Sequence, residues 1–291
     1  MAESVFEAKF VGKLVFKSET PFHIGGTRER NILYTFRLSD NRLLIPASTW
    51  KGAFRAISEK IAPTLPMSDL ERLAVERVSL SRNPRESLKK DDLLSSFADA
   101  LSGKSSPPFD ARNVKDVLLM LGYSEEELKS DNPEDQMGAL ISYLAYYCPI
   151  GRIFGNQVRA ASLRFVDTQI PSSTQRRAGI GIERSIGAVR EGALYFVETS
   201  SAGSSIPLLV VGEIEKRGGS TARLLASTLE VVERIGLNVG GRKSAGLGLL
   251  LLDKAEFHVV ELRNDTNGLL LANPFKAPSK NIEEFIKWLR G

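Results

Sequence analysis

Cysteine and histidine are almost missing from this 291-residue chain: Cys148 stands alone, and His23 and His258 are the only imidazoles. A single cysteine excludes an internal disulfide, and these three side chains fall short of an ordinary zinc site, which gathers three or four such ligands. A metal, if bound, would be held by oxygen and weakly. Long hydrophobic runs are missing too, which excludes a membrane-spanning helix. The start, Met1 to Lys9, is charged and lacks the apolar stretch of a signal peptide, so a reducing, cytoplasmic setting with no membrane partner is expected. Nor is one sign of charge in large excess: 39 Lys and Arg stand against 35 Asp and Glu. The total says only that anionic partners would be compatible. What is present is a soluble, globular composition, 42% hydrophobic and 25% charged, long enough for one large domain or two smaller ones to bury a core unaided.

The distribution of charge says more than its sum. Arg152, Arg159, Arg164, Arg176, Arg177, Arg184 and Arg190 share their stretch with only Asp167 and Glu183, whereas Glu125, Glu126, Glu127, Asp131, Glu134 and Asp135 surround the single Lys129. An arginine-rich stretch is ordinarily a solvated surface, and becomes a lead only with supporting pattern.

The chain opens with a half-buried strand over residues 10–17, apolar at each even position except Gly12. Pro21 and the Gly25-Gly26 pair are expected to stop regular structure. A second extended piece, Ile32 to Leu38, is expected to turn at Asp40-Asn41 and return through Leu43 to Ile45 as a hairpin. Ser48 or Thr49 is positioned to cap a helix whose Trp50, Ala53, Phe54, Ile57 and Ile61 follow the 3.6-residue period, with Lys51 and Arg55 on another face. Residues 62–147 read as a helical insertion, with periodic segments Leu70 to Val78, Leu93 to Leu101, Val114 to Leu121 and Met137 to Tyr146. A strand at Ala161 to Val166 follows. Then comes a Gly-, Arg- and Ser-rich arm or long hairpin leading into Ala193 to Thr199, and a strand over Pro207 to Ile214. The helix Thr221 to Ile235 carries Leu224, Leu225, Thr228, Leu229, Val232 and Ile235 on its buried side. The Gly-rich loop 240–248 runs straight into a buried strand, Leu249 to Leu252, and a short amphipathic helix spans Ile282 to Leu289. This order is an α+β pattern, helices on an antiparallel sheet, and suits a ferredoxin-like core.

Chemistry-bearing segments are few. In Gly240-Gly241-Arg242-Lys243-Ser244-Ala245-Gly246-Leu247-Gly248 the glycines let backbone approach an anion while Arg242, Lys243 and Ser244 supply donors. The spacing fits neither a Walker A motif nor a dinucleotide fingerprint, because the loop follows a helix and precedes a strand. A glycine helix stop followed by a tight turn explains the same residues. Gly25-Gly26 with the helix start at Ser48 make a second anion-compatible pair, or ordinary capping. Cys148, beside Pro149 in an apolar setting, is expected to be buried and inert. His23 has the chemistry of a general base or acid, or of a packed hydrogen-bonding residue.

Five blocks, taken in order, resemble the RAMP superfamily of CRISPR-associated RNA-binding proteins, and specifically the backbone-forming subunits of type III effector complexes, the Csm and Cmr group. They are residues 20–26 (Thr-Pro-Phe-His-Ile-Gly-Gly), 45–55 (Ile-Pro-Ala-Ser-Thr-Trp-Lys-Gly-Ala-Phe-Arg), 148–155 (Cys-Pro-Ile-Gly-Arg-Ile-Phe-Gly), 177–188 and 240–248. The resemblance implies an RRM-like, modified ferredoxin-like core over residues 1–61 and 148–291, the helical insertion, and a thumb-like β-hairpin over about 172–197. It implies as partners a guide CRISPR RNA, complementary target RNA, and other RAMP and effector-complex subunits, with no cofactor unless cleavage requires a divalent metal. Guide contacts would fall on Gly25, Gly26, Ser48, Thr49, Lys51, Arg55, Arg152, Asn156, Gly240, Gly241, Arg242, Lys243, Ser244 and Gly246. Arg176, Arg177, Arg184, Ile186 and Arg190 would wedge and neutralise the guide or target duplex. A guide must leave its base edges free, so holding phosphates and sugars is physically coherent.

Catalysis is where the chain departs from this pattern. Slicing members use an aspartate in the loop after the first block, and here Asn31 stands at the corresponding position. An amide carries no negative charge for a metal and accepts no proton as a general base. Asp40 and Glu29 lie near in sequence, but a turn explains Asp40 and a solvated loop Glu29. Weak or absent target cleavage is expected. Two competing readings are a RAMP endoribonuclease that processes precursor CRISPR RNA with His23 as base or acid, and a free-standing RRM-like RNA binder, for which the aromatic strand signature is lacking.

Overall fold

Alternation along the first strand sets the core. In a computed structural model, which describes residues 6–89, 92–171, 173–183, 185, 187–262 and 269–291, Phe10, Leu14 and Phe16 of β1 (Ala8–Ser18) are buried while Lys13 and Lys17 are exposed. Gly12 interrupts the apolar series for a packing reason: a Cβ there would lie 2.6 Å from the Phe257 ring and 2.8 Å from Val210.

Among the described residues the later strands are β2 (Gly25–Glu29), β3 (Ile32–Thr35), β4 (Leu43–Ile45), β5 (Leu163–Phe165), β6 (Thr168–Ile170), β7 (Thr174–Glu183), β8 (Ala188–Ser200), β9 (Ser205–Ile214), β10 (Leu237–Asn238), β11 (Leu249–Glu261) and β12 (Ser279–Lys280). The helices are α1 (Ala47–Ile61), α2 (Asp69–Leu73), α3 (Pro84–Lys89), α4 (Leu93–Leu101), α5 (Ala111–Met120), α6 (Pro133–Tyr147), α7 (Pro149–Phe154), α8 (Ser220–Ile235), α9 (Leu269–Ala272) and α10 (Ile282–Arg290).

The chain divides into two units. The first comprises residues 1–56, 164–213 and 228–288. Its main sheet has the order β10-β11-β1-β9-β5, with β12 added on β11, and β1 pairs antiparallel with β11 from Ala8↔Glu261 to Ser18↔Leu250. Taken as β1-α1-β5-β9-α8-β11, the strands lie in the order fourth, first, third, second, which is the α+β, ferredoxin-like arrangement expected from the sequence. Aromatic rings fasten helices to this sheet. Trp50 of α1 stacks on Phe16 at 5.5 Å, and Phe285 of α10 stacks on Phe257 at 4.1 Å with Phe10 alongside. Each such fully buried ring contributes about 1.5–3 kcal/mol.

A second sheet, β2-β3-β8-β7, holds the long antiparallel β7–β8 hairpin, and a third pairs β4 with β6. Several expectations need correction. Gly25 and Gly26 begin a strand rather than lying in irregular chain, and that strand pairs with β3 through a turn at Arg30-Asn31. The turn near Asp40-Asn41 forms, with Leu38 N–H donating to Arg42 O at 3.0 Å and Leu44 N–H to Phe36 O at 3.3 Å, but beyond the Arg37–Leu43 bridge no ladder develops there, and β4 pairs as a strand with β6. The strand after the Gly-rich loop runs to Glu261 instead of ending at Leu252, and its Leu251 is exposed. Ile235, expected on the buried side of its helix, is 68% exposed, because α8 ends there at Gly236.

The second unit comprises residues 57–163, 214–227 and 289–291, wider than the insertion read from sequence. Its helices close around Phe97, Phe109 and Tyr143, whose rings lie 5.2–5.9 Å apart. Burial, then the neighbouring Tyr147, pushes the Tyr143 hydroxyl well above the usual phenol range. The acidic stretch is spent locally: Glu127 accepts from Ser124 N–H and Oγ, Asp135 accepts from Ser130 Oγ, and the Asn132 side chain caps α6. Cys148 is fully buried, its Sγ 2.9 Å from Ser79 Oγ and accepting from Gly151 N–H at the start of α7.

Candidate nucleic-acid interface

The first and last of the five blocks are one structure. Gly236, at φ +89°, ends α8, and β10 and β11 then pair on either side of the Gly-rich loop. Gly240 adopts φ +75°, and a Cβ on it would lie 2.2 Å from His23 O; the N–H of Gly241 donates to that same oxygen at 2.9 Å. Gly248, at φ +89°, would place a Cβ 2.1 Å from Val239 O, and its N–H donates to Pro21 O at 2.9 Å. Both conformations strongly favour glycine. The loop is therefore stitched to residues 21–23 by backbone, and a glycine stop does end the helix, but at Gly236. Lys243, Ser244, Ala245 and Gly246 stay exposed as a single tight turn. Arg242 differs from them: its backbone is left-handed at φ 57°, its Nη1 donates to Tyr195 Oη at 2.9 Å, and its guanidinium lies 4.7 Å from the Tyr195 ring centroid.

His23 is 6% exposed. Its Nδ1 lies 2.8 Å from Glu198 O; a carbonyl only accepts, so Nδ1 carries a proton and donates it there. Glu198, which pattern reading missed, is a buried carboxylate on β8 that accepts from Thr35 N–H, Thr174 Oγ1 and Arg37, the last as an ion pair at 2.5 Å. A carboxylate so provided with donors is a stable anchor. It fastens β3 and β7 to β8 beside His23.

Along the hairpin, Ile180 pairs with Leu194 and Ile182 with Val189, all four exposed. Arg176, Arg177 and Arg190 are exposed as well, with Arg176 5.9 Å from the Tyr34 ring. Arg184 and Ile186, named from sequence, lie outside the described residues.

The remaining sites divide. Helix α1 begins at Ala47, so Ser48 and Thr49 sit inside its first turn rather than capping it. Asp167 takes the cap, accepting from Ala47 N–H at 2.7 Å and filling the anion-favouring end with a carboxylate. Among the described residues no hydrogen bond or ion pair joins Ser48, Thr49 or Lys51 to the Gly-rich loop; Lys51 and Arg55 are half-buried. Arg152 and Asn156 belong to the second unit. Arg152 pairs with Glu215 at 3.6 Å, as does Arg159 at 2.7 Å. The Asn156 amide donates to Ala145 O at 2.7 Å and accepts from Val158 and Arg159 N–H.

Asn31 occupies the β2–β3 turn. Its carbonyl accepts from Phe196 N–H at 2.7 Å and its amide reaches Leu194 O at 3.5 Å, so it lies against the hairpin root. Asp40 accepts from Arg42 N–H and pairs with the Arg42 guanidinium, whose hydrogen bond holds its carboxyl below the usual range. Among the described residues no three His, Cys, Asp or Glu side chains cluster as a metal site would require, and no helix is long and apolar enough to cross a membrane.

A sequence model of one family, the RAMP superfamily, matches residues 15–250, from β1 into β11. No curated protein matches the chain.

Proposed function

Because the chain belongs to the RAMP superfamily of CRISPR-associated RNA-binding proteins, we propose that it is a guide-RNA-binding backbone subunit of a type III CRISPR interference complex. It holds guide phosphates along a filament of subunits while the guide pairs with target RNA. The observation that carries this reading is the union of residues 21–23, the Gly-rich loop and the root of the β7–β8 hairpin. At that union Lys243, Ser244 and Gly246 stay exposed, and Arg177 and Arg190 are exposed along the hairpin. Backbone amides, a hydroxyl and cations grip phosphate without reading sequence, which suits a guide whose base edges must stay free.

Target cleavage is not assigned to this subunit. Asn31 stands where slicing members carry aspartate, and its amide is turned to Leu194 O. Asn31→Asp should gain metal-dependent cutting of bound target if that position is the catalytic one; target binding without gain places the catalytic position elsewhere. The processing-enzyme alternative rests on His23, whose Nδ1–H is oriented but whose ring is almost wholly covered.

Purifying the tagged protein from its own host and sequencing the accompanying RNA tests the reading. Guide RNAs carrying repeat-derived tags, with other RAMP proteins present, are expected. Precursor repeats that the protein alone cuts, with activity lost in His23→Ala, would replace this reading with a processing nuclease, and unrelated transcripts would replace it with a general RNA binder.

A further inference from the structure

We propose that Tyr195 is a positioning residue for RNA binding, holding the Arg242 guanidinium in one orientation and so tying the Gly-rich loop's phosphate grip to the middle of the β7–β8 hairpin. The inference rests on the loop being the RNA-backbone site proposed above.

Three observations converge on it. First, Tyr195 lies directly opposite Gly179 in the hairpin register, and a Cβ on Gly179 would sit 2.3 Å from Tyr195 Cζ and 2.6 Å from its Oη. The ring therefore fills the space that the glycine leaves, and cross-strand packing limits its freedom. Second, Arg242 meets this ring twice: its guanidinium carbon is 4.7 Å from the centroid, and Nη1 donates to Oη at 2.9 Å. A ring contact and a hydrogen bond together set both the place and the roll of a planar cation. Third, Arg242 holds a left-handed backbone, φ 57° and ψ 35°, which a non-glycine residue keeps only where its surroundings impose it. Here that conformation accompanies a side chain carried to β8 rather than left with its exposed neighbours Lys243 and Ser244.

The arrangement leaves donors to spare. Tyr195 takes one of the five guanidinium N–H groups, and among the described residues the other four have no protein acceptor. A planar cation already fixed in place forfeits less freedom when it meets a phosphate than a mobile lysine does. Because Gly179 and Tyr195 face each other in the hairpin, the Arg242 contact joins both of its strands to the loop. Gly179 thus influences phosphate binding without touching the loop.

The test measures binding of the full chain to a fluorescein-labelled single-stranded RNA of mixed sequence across a salt series. Arg242→Ala should weaken binding about tenfold and lower the salt slope by about 0.7, one phosphate contact's worth on a single strand. Tyr195→Leu should weaken it about fivefold with the slope kept, because the charge remains but loses its orientation. Tyr195→Phe, which keeps the ring and the fold, should cost about twofold through the lost hydrogen bond. Gly179→Ala, which displaces the ring, should match Tyr195→Leu. In the Arg242→Ala background all three should add less than about a twofold loss. Equal losses in both backgrounds, or no loss from Tyr195→Leu, overturn the positioning role while leaving the loop as an RNA site. If Arg242→Ala itself leaves binding unchanged, the loop is not that site, and the positioning role falls with it.

Discussion

Two segments of this protein share a composition of glycine, arginine and serine and have opposite physical characters. In the loop at 240–248 two of the four glycines are pinned: Gly240 and Gly248 are in left-handed conformations with carbonyl oxygens where a Cβ would go, whereas Gly246, at the exposed turn, has open space there. At the outer end of the β7–β8 hairpin, Gly187 has a similar positive φ and nothing within 4 Å of its missing Cβ. The arginines follow suit. Arg242 is held by Tyr195, whereas Arg190, close to the outer turn, is exposed. Composition marks both segments as unusual, but close approach of another backbone decides which is a rigid grip and which an exposed arm.

The largest effect that would break this contrast is at the pinned glycine. Gly240→Ala meets a carbonyl and a left-handed backbone together and should cost about 3 kcal/mol, whereas Gly187→Ala should cost about 1 kcal/mol. Denaturant unfolding of both variants measures the difference, and equal costs would erase the distinction. Next in size is an arginine pair kept inside: Glu215 serves both Arg152 and Arg159, all three less than a quarter exposed. Glu215→Ala should lower stability by about 1–2 kcal/mol without strengthening RNA binding. A gain in RNA affinity would reveal Arg152 as a phosphate contact that Glu215 masks. Smaller still, Arg177→Ala with Arg190→Ala should leave unfolding within about 0.5 kcal/mol of the parent and lower the salt slope of RNA binding by about 0.7 for each arginine, alike for all sequences. A loss confined to one RNA sequence would turn the arm into a base reader. The smallest effect concerns Asp40, whose carboxyl is held low chiefly by the Arg42 hydrogen bond. A depressed carboxyl stabilises above its unfolded pKa and loses that contribution as pH falls through its folded value, so the parent should show a slight acid loss of melting temperature that Asp40→Asn lacks. Identical acid profiles would show that this exposed pair contributes nothing.

The parts of the fold legible in the sequence are those where burial imposes a period. The even positions of β1, the apolar stripe of α1 and the run through Val232 of α8 all announce themselves. Strand β2 does not, because all five of its residues are exposed and two are glycine, so neither alternation nor propensity marks it. The choice of β6 rather than β3 as the strand partner of β4 is a long-range decision that local turn chemistry cannot express. Capping of α1 by Asp167, 120 residues distant, escapes for the same reason. At the candidate site the glycine blocks were visible, but Tyr195 and Glu198 were not. A glycine facing an aromatic across a hairpin, Gly179 and Tyr195, is the signal that would have found the first, and it needs the register to be known. The buried acid has no such mark: in Val197-Glu198-Thr199 it looks like the solvent-facing member of an alternating strand.

Strand β1 sits inside its sheet, between β9 and β11, and both neighbours are encoded far downstream, with Ala8 meeting Glu261 across most of the chain. At about 5–20 residues per second of synthesis, β1 waits on the order of tens of seconds for β11, the backbone groups along its edges unpaired. The helices between residues 69 and 154 have emerged long before then and need no such partner to begin folding. Birth order and assembly order thus run opposite ways in this protein, and the interval between them is when a nascent chain most needs a chaperone.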